Sequence, residues 1–211
     1  RMMQGERNIL WPGRISWFSK SSGTTNARSK FIPVSKESLH ACHFRGGKDM
    51  LALYVHNVPG TQIFSGKVVG ITGSLQDVGS NTSIQSGDIS AVITKNLPRW
   101  AEMLRTPRVD VALMQRWEEK MDRIIEETSD ENVTSIAGVP TWEMVLLERM
   151  MESHKVQSIF DIWPNFELVM HGGVSFKPYR PLFEKIIGTA SDNKQVHYME
   201  LYNASEGFFA I

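Results

Sequence analysis

The sequence predicts an α/β fold, with mostly parallel sheets flanked by helices. Three observations predict it. Short apolar runs rich in Val, Ile and aromatic residues alternate with amphipathic stretches along the second half of the chain. Glycine and small polar residues directly follow two of those runs, at 172–173 and 203–207. The length of 211 residues, 41% of them hydrophobic, suffices for one sizeable core. Sheets of this kind place ligands beyond the carboxyl ends of their strands.

The elements follow in order. RISWFS (14–19) and KFIPVS (30–35) read as short strands on either side of a polar loop, with Pro33 tolerable at a sheet edge or strand end. Ser35 is placed to cap a helix starting near Lys36, which Gly46 and Gly47 are expected to interrupt before 48–57 resumes helical spacing. KVVGITG (67–73) reads as a buried strand, and 74–87, rich in Ser, Gly, Asn and Gln, as a surface loop with the composition of a mobile segment. The clearest helix is 109–130. Met114, Trp117, Met121, Ile124 and Ile125 recur at steps of three and four and form a core stripe, leaving Glu118, Glu119 and Lys120 on the solvated face. Strand 133–138, helix 141–154, strand 166–173 and helix 180–188 then alternate, and 196–207 is a strand running into a loop.

Lys plus Arg and Asp plus Glu each number 23, so the net charge is zero and there is no broad basic footprint for nucleic acid. Any anion must be held locally. The single cysteine, Cys42, cannot form an internal disulfide, and no apolar run has the length of a membrane span or signal-peptide core, so the expected setting is the reducing cytosol. The chain opens on Arg1 and ends with Phe208, Phe209 and Ile211, an apolar end that reads as a piece of a longer polypeptide.

Three segments carry chemistry. In SSGTT, Ser21, Ser22, Gly23, Thr24 and Thr25 form a loop whose backbone N–H groups can converge into a nest, with hydroxyls and Lys30 as further donors to phosphate oxygens. The G-x-x-x-x-G-K-[ST] pattern is absent, which excludes a P-loop NTPase; a solvated Ser/Thr hairpin is the other reading of these residues. In MHGGVSF, Gly172 and Gly173 let a flat aromatic ligand approach the backbone, with Val174 as an apolar wall, although a glycine pair after a strand also makes an ordinary turn. In YNASEG, Tyr202 offers a ring to stack on a base, Ser205 a hydroxyl for phosphate, and Glu206 a carboxylate that can ligate Mg²⁺ between phosphate oxygens, or remain merely solvated. His40, Cys42 and His43 in HACH have the spacing to start a metal site, but no second cluster completes tetrahedral coordination and no triad supports Cys42 as a nucleophile.

Together these segments resemble the GH3 acyl acid amido synthetases, the auxin-responsive family among the adenylate-forming enzymes. SSGTT followed by KFIP is similar to that family's phosphate loop; GGVSF and YNASEG are similar to its adenine-side and phosphate-side segments, in the expected order; ISWFSK and GVPTWEMVLLER extend the likeness over nearly the whole chain. Asn26-Ala27 stands where a glycine is common, and Asn203 where a smaller residue is usual. The resemblance implies that residues 1–211 form part of the large N-terminal adenylation domain. A Tyr-Arg-x-Gly-Asp-like segment and a small C-terminal lid domain lie outside this sequence.

The activity it implies is ATP-dependent activation of a carboxylic acid as acyl-AMP, followed by transfer to an amino acid to form an amide. Its partners are then small carboxylic and amino acids, with neither nucleic acid nor membrane. Ser21, Ser22, Gly23, Thr24, Thr25 and Lys30 would hold the β- and γ-phosphates; Gly172, Gly173, Val174 and Tyr202 the adenine; Ser205 the α-phosphate; and Glu206 the Mg²⁺. The helix after the phosphate loop would line the acid pocket with His43, and Trp142 would border it. An acyl-CoA ligase, which shares the first half-reaction, and a non-catalytic nucleotide-binding module remain the alternatives.

Overall fold

The computed structural model describes residues 1–21, 29–79, 83–188 and 195–211. Strands β1 (Trp17–Ser21) and β2 (Lys30–Val34) pair antiparallel, with Pro33 on the outer strand of its sheet. Ser35 caps the following helix as its sequence position suggests, its Oγ accepting from the Ser38 N–H at 3.0 Å. Helix α1 then runs without a break through three segments: Lys36–Ser38, a π turn over Leu39–His43, and Phe44–Asn57. The glycine pair does not interrupt it. Gly46 instead admits the Phe208 ring, whose Cδ1 lies 2.6 Å from where a β-carbon would be, so the glycine serves packing rather than chain reversal.

After β3 (Lys67–Gly70), the Ser-rich segment is not a plain surface loop. Its ends form β4 (Leu75–Asp77) and β5 (Gln85–Gly87), an antiparallel pair that completes a four-stranded sheet in the order β2-β1-β5-β4, with β1 and β5 parallel. Helices α2 (Ile89–Lys95) and α3 (Arg99–Glu102) lead to the two-residue strand β6 (Arg105–Thr106).

The long helix expected over 109–130 is two: α4 (Val109–Ala112) and α5 (Trp117–Thr128). The break has a hydrogen-bonding cause. The Ala112 carbonyl, which would accept from residue 116 in a continuous helix, accepts from Thr72 Oγ1 at 2.9 Å, and Gln115 Nε2 donates to the Leu75 carbonyl at 3.1 Å. In α5, Met121 and Ile124 are fully buried, with Met114, Trp117 and Ile125 packed against them, as the stripe predicts. Lys120 departs from the expectation: it is 2% exposed, not solvated.

Then β7 (Val133–Gly138), α6 (Pro140–His154), β8 (Leu168–Gly172), α7 (Arg180–Ile187) and β9 (His197–Ala204) alternate. The strand at the end of the chain does not run into an open loop. It turns sharply at Ser205-Glu206 and returns as β10 (Gly207–Ala210), so Phe208 and Phe209 lie on a paired strand. The second sheet has the order β10-β9-β8-β7-β3-β6, parallel throughout except for that last hairpin.

Alternate residues of this sheet face opposite layers. Val69, Ile136 and Val169 pack with Leu147, Trp163 and Phe183 under α5, α6 and α7, while Leu168 and Met170 pack with Met50 and Tyr54 of α1. The fold is thus two sheets flanked by helices. Among the described residues no helix is long and apolar enough to cross a membrane.

Candidate functional site

The parallel strands β3, β7, β8 and β9 present their carboxyl ends along one edge of the large sheet, and connections diverge between β3, which leads to β6, and β7, which leads to β8. Crevices form at such divergences. Gly172 ends β8 beside Leu201 of β9, where a β-carbon would collide with the Leu201 carbonyl oxygen, and Gly173 follows with φ +83°, a left-handed conformation suited to glycine. Val174 is 43% exposed next to them. Tyr202, near the end of β9, is 60% exposed, its ring 5.2 Å from that of Phe209. The glycines and the aromatic ring therefore stand at the ends of adjacent strands.

The small sheet reaches the same place. Ser19 Oγ of β1 donates to Ser205 Oγ at 2.8 Å, tying the strand that enters the hydroxyl-rich loop to the β9–β10 turn. Ser21 and Lys30 face each other at the base of that loop in the β1–β2 register, with Lys30 exposed. Ser22, Gly23, Thr24 and Thr25 lie outside the described residues. Glu206, next to Ser205 in the turn, is exposed.

Helix α1 braces this turn from the side. The Phe208 N–H donates to Cys42 Sγ at 3.1 Å, and His43 Nδ1 lies 2.8 Å from Asn203 Oδ1. A carboxamide oxygen only accepts, so Nδ1 is the protonated nitrogen. His43 Nε2 is buried and unpartnered, and burial lowers the imidazole pKa, opposed by the Asn203 bond. His43 is thus a neutral ring beside the strand that carries Ser205. Its neighbours in HACH do not join it: His40 packs edge-on against Phe44, and among the described residues no group of three His, Cys, Asp or Glu is disposed to hold a metal ion. Trp142 packs against Trp117 at 5.1 Å, on the α5–α7 side of the sheet and away from His43.

The sequence places Lys120 on the solvated face and singles out neither Glu143 nor His171, yet all three are buried polar groups at these strand ends. Lys120 Nζ donates to the carbonyls of Thr72 at 2.6 Å and Gly73 at 3.1 Å, closing the loop that follows β3; burial pulls its ammonium pKa down to about 8, with Asp88 opposing. Glu143, in the first turn of α6, is fully buried beside Gly138, and neither of its oxygens reaches a hydrogen-bond partner. Burial pushes its carboxyl well above the usual range, the Gly138 backbone opposing in part. His171, just before Gly172, stacks on Phe176 at 3.8 Å with Nδ1 buried and unpartnered; burial lowers its pKa, with Glu200 opposing.

The N-terminal domain of the GH3 family matches residues 1–191. Among solved structures, the chain is similar to a GH3.15 acyl acid amido synthetase, with TM-score 0.64 and 14% identity over 92% of this chain and 41% of that one. It is similar also to AtGH3.15 acyl acid amido synthetase in complex with 2,4-DB, with TM-score 0.59 and 15% identity over 91% and 41% of the respective chains. At such identities the likeness is one of fold. No curated protein matches. The chain spans about two fifths of the length of the solved chains it resembles.

Proposed function

The chain belongs to the GH3 family, and from that premise we propose that it carries the nucleotide-binding part of a ligase that activates a carboxylic acid with ATP and passes the acyl group to an amino acid. The observation that supports this most is the Ser19–Ser205 hydrogen bond. It joins the strand entering the hydroxyl-rich loop to the turn carrying Glu206, while Gly172, Gly173 and Tyr202 stand on the neighbouring strand ends. A nucleotide needs all three kinds of contact within its own length: donors for phosphate, a flat backbone approach and a ring for the base.

A carboxylate is a poor acyl donor because its oxygen leaves badly. Joining that oxygen to the α-phosphorus of ATP, with release of pyrophosphate, makes AMP the leaving group; attack by an amine on the acyl carbon then forms the amide and releases AMP. The protein's share is mostly positioning and charge stabilisation. Ser21, Ser22, Thr24, Thr25 and Lys30 hold the β- and γ-phosphates and Ser205 the α-phosphate, while Tyr202 and Val174 flank the adenine against Gly172 and Gly173. Mg²⁺ is commonly held by one or two carboxylates together with phosphate oxygens and water. Glu206, exposed in the turn, is the carboxylate that would hold it there, where the ion neutralises phosphate charge.

Isothermal titration of ATP–Mg²⁺ into this chain, with GTP as control, tests the reading. Saturable binding selective for ATP is expected, with Glu206→Gln weakening the Mg²⁺ dependence more than the affinity for the nucleotide. Absence of ATP binding, or a Glu206→Gln titration identical to the parent's at every Mg²⁺ concentration, counts against it.

A further inference from the structure

In the connection from β8 to α7, Gly173, Val174 and Ser175 are exposed, while His171 before them and Phe176 after them are buried. The two buried rings are five positions apart in sequence and lie face to face, their centroids 3.8 Å apart and their planes inclined by 14°. The stack crosses the base of the loop like a clasp.

The loop has little else to fix its shape. Among the described residues, no backbone N–H or C=O of Val174 or Ser175 joins a hydrogen bond within the protein. Gly173 holds φ +83°, one of several conformations that a glycine adopts freely. A span of this kind keeps one shape only if its ends are held. Phe176 is held by its surroundings: its ring packs on Phe183 at 5.3 Å and on Tyr198 at 5.2 Å. Its carbonyl accepts from the N–H groups of Tyr179 at 2.9 Å and Arg180 at 3.1 Å, where α7 begins. His171 is held in β8, opposite Gly138 of β7 and Glu200 of β9.

Residue 171 supplies a flat ring and not a hydrogen bond. His171 Nδ1 is buried without a partner, a cost that an aliphatic side chain would avoid. What the imidazole adds is a planar face, and stacked rings gain more than the burial of their atoms. The gain falls on 172–174, the segment assigned above to the adenine.

We propose that His171 is a positioning residue for the nucleotide base: stacked on Phe176, it holds 173–175 in one shape, so that the base meets a preformed surface. His171 does not itself touch the nucleotide; it acts through the loop, and a surface ordered in advance spares the ligand the cost of ordering it. The assignment rests on reading 172–174 as the base side of an adenylation site.

The test compares the parent chain with His171→Leu, which stays apolar but loses the planar face, and with His171→Phe, which keeps the ring and puts carbon where Nδ1 is unpartnered. Backbone ¹⁵N order parameters of Gly173, Val174 and Ser175 are measured without ligand. They are expected near the rigid value of about 0.85 in the parent and His171→Phe, and below about 0.6 in His171→Leu. By calorimetry, ATP–Mg²⁺ affinity is expected to fall about two- to tenfold in His171→Leu and to return in His171→Phe. Affinity for tripolyphosphate–Mg²⁺, which offers phosphates and no base, is expected to be the same in all three. A merely structural histidine would move both ligands together and gain nothing from the phenylalanine. Equal loop order in the parent and His171→Leu, a His171→Phe chain no better than the leucine variant, or equal losses for ATP and tripolyphosphate overturns the proposal. ATP binding by the parent with loop order unmoved removes the clasp and leaves the nucleotide reading. Loop order that responds as expected in a chain that binds no ATP removes that reading, and the positioning role with it.

Discussion

Lys120 is an amine that a solvated face would leave in water, held instead on two backbone carbonyls with 2% of its surface exposed. Its pKa of about 8 in the fold lies below the ordinary value of 10.5, so between those limits the unfolded chain holds more protons than the native one. Stability therefore rises with pH across that window and is flat below it. Urea unfolding from pH 7 to pH 10 is expected to show the rise, by no more than about 3 kcal/mol, and Lys120→Met to flatten it. A parent curve without that rise would place the ammonium in water. The position was legible in the sequence: residue 120 is three after Trp117 and four before Ile124, on the stripe itself, but a lysine there reads as solvent-facing by residue type. Glu143 was less legible, because a glutamate in the first turn of a helix has an ordinary role with the helix dipole and no pattern announces that it is sealed in.

Among the elements, α1 shows how a glycine is misread. Gly46 and Gly47 look like a break, yet the helix passes through both, since Phe208 comes from the far end of the sequence to occupy the space above the first. The two positions make opposite predictions. Gly46→Ala drives a methyl into the Phe208 ring and is expected to cost about 1–3 kcal/mol, less the gain in helix propensity. Gly47→Ala meets nothing within 4 Å and should stabilise by roughly 0.5–1 kcal/mol. Thermal unfolding of the pair decides it, and the same sign for both would mean that the ring does not sit there. Within the large sheet, β7 and β8 could be read from the sequence because they are apolar runs bounded by turns; the two-residue β6 and the returning strand β10 could not. The three-residue strands β4 and β5 could not: their ladder is with each other and with β1, and a segment so short and polar has no period of its own.

At the level of the whole molecule, the two sheets are joined at the candidate site by a contact that spans 186 positions in sequence, Ser19 to Ser205. The motifs were legible as segments, and the α/β alternation as the strand ends beside which Gly172, Gly173 and Tyr202 stand. What neither supplied was the joint. Ser19 is an inward-facing serine on a short strand, unremarkable until Ser205 is known to lie 2.8 Å away. A double-mutant cycle with Ser19→Ala and Ser205→Ala should give a coupling energy of about 0.5–1.5 kcal/mol, and Ser205→Ala should speed amide exchange in β1 as well as in β10. Additive effects with exchange confined to the hairpin would mean that the two sheets hold their places independently.

The π turn in α1 acts on this arrangement as a phase shifter. A π turn holds one residue more than an α turn, and each residue advances a helix by about 100°. Ser35, Glu37 and Ser38 are thus set a quarter-revolution out of step with Met50 and Tyr54. That offset lets one helix keep its far half against the large sheet while its near half lies along the small sheet. Removing one residue from 39–43 would restore a regular helix and swing its first turn round by that angle, so the length of this segment, more than the identity of its side chains, governs the register between the two halves of the helix.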